Sequence, residues 1–174
     1  MQVAKATHES HLWRLREFAP DFALEDVWEL PVHGSAGDFQ SLLEQTVQFD
    51  PSHASSGPAR FLWRLRDRLG AWLGLGRVGT PVTGAGNDSL AGRLPADLRH
   101  SGDGLTFRAL PFTPLFRTAD EFAAEISNPT MHGIMHLVWV ARGDGRFQAR
   151  MAVYVKPHGV FGRVYMALIK PFRL

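Results

Sequence analysis

The sequence predicts an α+β domain in which a curved antiparallel sheet wraps on helices, with a cavity between them. Three observations predict it. A strand-like segment opens the chain, two helical stretches follow, and from residue 105 onward short segments with strand patterning are separated by Pro, Asn-Pro and Gly-Asp-Gly. The 174 residues make one domain, 1–174, and 45% apolar with 21% charged residues is a globular composition.

The first strand is FALEDVWEL, 22–30, with Phe22, Leu24, Asp26, Trp28 and Leu30 alternating onto one face and Glu25 and Glu29 on the other. Pro31 ends it. Asp38 is placed as the N-cap of a helix, FQSLLEQTVQF, whose apolar stripe is Phe39, Leu42, Leu43 and Val47. A second helix runs from about Pro58 to Leu75, with Leu62, Leu65, Leu69, Trp72 and Leu73 on one side and arginines on the others. It reads either as a packed helix with a solvated arginine face or as a basic membrane-surface helix.

Residues 76–92 form a Gly-rich flexible connection, a lid or simply a mobile loop; no Lys-Ser/Thr follows, so it is no phosphate loop. The strands are then LTFRAL, TPLFRT, DEFAAEIS, MHGIMHLVWV and FQARMAVYVK. A closing helix, GVFGRVYMALIK, spaces Val160, Val164 and Leu168, and Phe161 and Tyr165, at helical intervals before Pro171.

Several function classes fall away. The chain has no cysteine, so disulfides, thiolate catalysis and cysteine metal sites are excluded. Its start lacks the apolar core of a secretory signal, and no run reaches the length of a membrane span; the expected location is cytoplasmic. A net charge of +2 argues against nucleic acid as a partner. No Gly-x-Ser-x-Gly elbow is present. Glu121 and Glu125, four apart on one strand, are too separated to form a glycosidase pair, and Lys156 reads as a solvated strand end.

The chemistry-bearing stretch is NPTMHGIMHLVWV. On a helix, His132 and His136 could share one zinc; on a strand they lie on one face about 13 Å apart. Asn-Pro in front, Gly133 within and Val-Trp-Val behind favour the strand, so no metal or cofactor is expected. The following turn, Arg142–Arg146, with a two- or four-residue loop, sets His132 and His136 on the inward face with Phe147, Met151, Val153 and Val155. A three- or five-residue loop would flip both histidines to the other face. Inward histidines are either hydrogen-bonded core imidazoles or the polar foothold of an apolar pocket, tuned by Asp26 or Glu125. The candidate catalytic residues are therefore His132, His136 and Asp26. Trp28, Phe147, Met151, Val153 and Tyr165 are the candidate lining for a small apolar ligand.

The blocks APDFALEDVWELP, RLPADLR, LPFTPLFR, NPTMHGIMHLVWV and QARMAVYVKPHGVFGRVYMALIKPFR together resemble a bacterial family of domains of unknown function. The resemblance implies a helix-grip, START-like fold of the polyketide-cyclase kind, sometimes fused behind an NAD(P)-binding Rossmann domain. It implies no assigned catalytic residues. Similar members continue past PFR into a longer C-terminal helix, whereas this sequence stops at Leu174. The expectation is then an open pocket or a gap closed by a partner chain, such as a homodimer. The functions expected are apolar-ligand binding, with cofactor-free cyclase or isomerase chemistry, or a non-catalytic interaction module, such as a partner of an NAD(P)-dependent reductase.

Overall fold

The computed structural model describes residues 1–48, 89–129 and 131–159. The expected helix at 58–75, residues 76–88 of the Gly-rich connection, and the closing helix with Tyr165 lie outside the described residues.

Five strands form one antiparallel sheet in the order β1-β5-β4-β3-β2. They are β1 (Ala23–Gly34), β2 (Thr113–Arg117), β3 (Glu121–Ser127), β4 (Met131–Ala141) and β5 (Phe147–Pro157). The described helices are few and short: α1 (Lys5–Glu9), α2 (Leu15–Phe18) and α3 (Phe39–Val47), with two 3-10 turns, Ala36–Asp38 and Leu90–Arg93. The fold is thus α+β with an open antiparallel sheet, as predicted, though LTFRAL (105–110) runs as irregular chain instead of a strand. Among the described residues no helix is long and apolar enough to cross a membrane.

Both sheet faces are covered. On one, α3 places Phe39, Leu43 and Val47 against Met135, Leu137, Trp139, Met151 and Val153. The α3 stripe thus packs directly on this face of the sheet. On the other face, α2 and the segment around Leu90, Leu94 and Leu98 pack on Phe116, Ala123, Ile134, Ala152 and Tyr154. Asp38 does not cap α3 through its own side chain. It closes a capping box instead, accepting from the Ser35 backbone N–H at 2.7 Å and the Ser35 hydroxyl at 2.9 Å, one turn earlier than expected.

Two irregularities decide which residues face which layer. The β4–β5 loop has five residues, so Ala141 pairs with Phe147, His136 with Ala152 and His132 with Lys156. The expected two- or four-residue loop is corrected, and with it the face. His132 and His136 share a face with Lys156, Tyr154 and Arg150, while Phe147, Met151, Val153 and Val155 point the other way. In β1 an extra residue at Glu25 puts Leu24 opposite Tyr154 but Asp26 opposite Val153. This bulge breaks the alternation read from FALEDVWEL, sending Leu24 to the histidine face and Trp28 and Leu30 to the α3 face. Pro31 does not end the strand. It falls in a second irregularity between Glu29 and His33, on a sheet edge where its missing N–H costs no ladder bond.

The Tyr154 hydroxyl is buried and has no hydrogen-bond partner within bonding distance among the described residues, and burial pushes its pKa up to about 12. Tyr154→Phe keeps the ring and removes the orphaned group. Its expected stability in urea unfolding is equal to the parent or up to about 1 kcal/mol higher.

Candidate functional site

On the histidine face, strands β3 and β4 repeat one arrangement twice. Ala123 pairs with His136 and Ser127 with His132, so Glu121 and Glu125 each lie diagonal to a histidine. His136 Nε2 donates to Glu121 Oε1 at 2.9 Å, and His132 Nε2 donates to Glu125 Oε2 at 2.9 Å. All four side chains are buried. Each carboxylate also holds the start of a covering segment. Glu121 accepts the backbone N–H of Arg14 and of Leu15, both at 2.9 Å, where α2 begins. Glu125 accepts the Leu90 N–H at 3.0 Å and the Ser89 hydroxyl at 2.5 Å, where the 3-10 turn begins. Buried carboxylates survive in a sheet core because both oxygens of each accept hydrogen bonds this way.

The Glu121 copy is sealed. His8, on α1, lies over His136 with its Nε2 at 3.3 Å from His136 Nδ1, and Trp13 closes the stack, ring centroids 5.3 Å from His8 and 5.5 Å from His136. Burial pushes the Glu121 carboxyl up, but the bonds from His136, Leu15 and Arg14 outweigh it and hold it below its usual value. Burial, with the charges of His136 and Arg150, lowers His8 to about 3. His8 is therefore neutral at ordinary pH, and its Nδ1 is a buried atom without a partner among the described residues.

The Glu125 copy opens outward. His132 borders a pocket of about 380 Å³ whose polar lining is Ser89, Arg93, His132, Lys156 and His158, with Phe22 and Pro157 as its apolar wall. Phe22 stands edge-on to His132 at 5.0 Å, and the His158 ring is 6.4 Å from it. At the rim, Asp21 bridges two cations, accepting from Arg93 Nη1 at 3.0 Å and from Lys156 Nζ at 2.7 Å. Burial would raise the Asp21 carboxyl, but these bonds keep it lowered. Because Glu125 takes the proton on Nε2, the neutral His132 ring carries its lone pair on Nδ1, which has no hydrogen-bond partner among the described residues.

The structure brings His132 and His136 to one face but gives each its own carboxylate. Asp26 is across the sheet from both, accepting from Gln2 Nε2 at 3.4 Å. Of the two carboxylates considered as tuners, Glu125 is the one in contact. Trp28, Phe147, Met151 and Val153 do come together, packed in the α3 core rather than with the histidines. Lys156 is half-buried and ion-paired, not a freely solvated strand end. Ser89 to Gly92, the last residues of the expected flexible connection, are built into the turn that holds Glu125.

Sequence reasoning missed Glu121 as a partner, and also His8, Asp21, Ser89, Arg93 and His158. One signal was available. Two carboxylates four apart on one strand, followed by two histidines four apart on the next, match in an antiparallel hairpin. The others come from irregular segments with no period to read. Among the described residues, no cluster of three or more His, Cys, Asp or Glu is arranged to hold a metal.

Compared with known proteins, residues 18–174 match the family model described as a protein of unknown function, DUF2867. No curated protein and no solved structure matches the chain.

Proposed function

Since the chain belongs to the DUF2867 family, described as of unknown function, its activity has to be read from its own geometry, and we propose that it binds a small molecule and moves a proton on it with the Glu125–His132 pair, without a cofactor. One observation carries this reading. Of two equivalent imidazole–carboxylate pairs, one is sealed under Trp13 and the other borders a pocket. A purely structural clamp has no need of that opening.

In the proposed step Glu125 fixes the His132 tautomer and Nδ1 acts as base. A C–H bond next to a carbonyl breaks, its electron pair moves into the carbonyl, and the proton goes to Nδ1. The imidazolium, held by Glu125, returns the proton to the same or a neighbouring carbon, which is isomerase- or cyclase-type chemistry. Arg93 and Lys156, which share the pocket lining with His132, would meet the developing negative charge. The apolar part of the ligand would lie on Phe22 and Pro157.

The helix-grip, START-like description belongs to the same proposal. Its support is the antiparallel sheet with α3 along one face. In this reading the ligand site is on the face opposite α3. A second reading, binding without turnover, is favoured by the bonds of Ser89 and Leu90 to Glu125, which make the pair an anchor as well.

The test is deuterium exchange into carbon positions of small carbonyl compounds in D2O, followed by NMR. His132→Gln is expected to lower the catalysed rate by about 100-fold or more, and Asp26→Asn, across the sheet, to leave it unchanged. Exchange at the parent rate in His132→Gln removes the acid/base role and leaves the binding module.

A further inference from the structure

At the mouth of the pocket two cations converge on a single carboxylate that belongs to the protein itself. Arg93 Nη1 reaches both oxygens of Asp21, at 3.0 and 3.2 Å, and Lys156 Nζ reaches Oδ2 at 2.7 Å. We propose that Asp21 stands in for the ligand's own head group, so that the pocket takes a small organic carboxylate with an apolar body and Asp21 competes with it for Arg93 and Lys156. This rests on the reading of the pocket as the ligand site and specifies its substrate class.

Three features point to a carboxylate. The donors are arranged for a planar, two-oxygen group, since one guanidinium nitrogen spans both oxygens while the ammonium takes one. Charge counting among the described residues agrees: at the rim two cations face one carboxylate, Asp21, and a monoanion balances the second. The apolar wall begins next to the anion point, because Phe22 follows Asp21 in sequence and its ring lies 6.0 Å from Lys156 Nζ. A carboxylate with an aromatic or branched body therefore satisfies both ends at once. Its α-carbon would then lie between the cations and His132, and removing the α-proton would place the new charge on the oxygens that Arg93 and Lys156 hold.

Asp21, Arg93 and Lys156 are all partly exposed, so their contacts are exchangeable and not locked in the core. This gives the competition a definite sign. A residue that merely positions Arg93 and Lys156 would weaken anion binding when removed, whereas a competitor strengthens it.

The experiment titrates the full chain with benzoate, its neutral isostere benzamide, and inorganic phosphate, reading Kd by calorimetry and the His132 ring by NMR. Benzoate is expected to bind and benzamide not. Asp21→Asn is expected to tighten benzoate by roughly 10-fold, and Arg93→Gln to weaken it by a similar factor. Benzoate binding that is unchanged or weaker in Asp21→Asn overturns the stand-in role. Benzamide binding as well as benzoate, or phosphate binding more tightly, overturns the carboxylate class while leaving the pocket as a ligand site. If none of the three perturbs His132 in either the parent or Asp21→Asn, the assignment fails together with the pocket reading beneath it.

Discussion

Glu121→Ala is expected to cost about 3–5 kcal/mol of folding stability, the usual consequence of removing one partner from a buried charged pair. The substitution strands three groups at once. His136 Nε2 loses its acceptor, and the N–H groups of Arg14 and Leu15 lose theirs, all inside a face covered by Trp13 and α2. Each orphaned donor carries its own desolvation cost. Against a total stability of roughly 5–15 kcal/mol for a domain, this is a large fraction. Urea unfolding of parent and variant, compared at equal slope, measures it. Glu121→Gln keeps one acceptor oxygen and should recover part of the loss. A variant within about 0.5 kcal/mol of the parent would mean that the N-terminal segment is not held by this carboxylate.

Acid should loosen the fold well before the carboxylates titrate. His8 binds a proton near 6.5 in an unfolded chain but only at about 3 in the folded one. Below 6.5 the unfolded state therefore takes up a proton that the native state refuses. Stability is complete above 6.5 and falls as the pH drops toward 3, by on the order of 5 kcal/mol over the whole interval. Glu121 adds to this only lower down. Its folded pKa lies below the ordinary 4.5, so its contribution is present above that value and fades as the pH falls through the folded one. Between pH 6.5 and 4.5 this slope belongs to His8. His8→Phe keeps a ring beside Trp13 and should flatten the stability curve across that window, as read from urea midpoints at half-unit steps. An unchanged slope would remove His8 from the account.

Much of the sheet was legible because its signals are local. β3, β4 and β5 carry long apolar stretches bounded by Asn-Pro, Arg-Gly-Asp-Gly and Pro, and each begins or ends within a residue or two of its expected limits. The faces were not legible, since one added residue in the β4–β5 loop and one at Glu25 reverse them, and neither leaves a compositional mark. A five-residue loop flips His132 and His136, and the sequence leaves that loop length open beside the shorter ones. What sequence gave no sign of is that the reversed face is also interior, covered by α1, α2 and the segment from Ser89 to Leu98. Those coverings are short and lack periodicity. For the same reason the histidines stood out as chemistry while Arg93, Lys156 and Asp21 did not: they meet only after residues far apart in the chain converge.

The duplicated Glu–His diagonal has a bearing on how β3 and β4 find each other during folding. A slip of one residue turns both acids away from both imidazoles and brings apolar side chains into their place. A slip of four leaves one carboxylate meeting one histidine, but it strands the other acid and the other ring in the interior. The two acid–imidazole pairs thus work as a two-tooth key for hairpin alignment. Against the slip of four, satisfying one tooth is penalised by the other, so the native alignment wins over it by the cost of a buried unpaired charge.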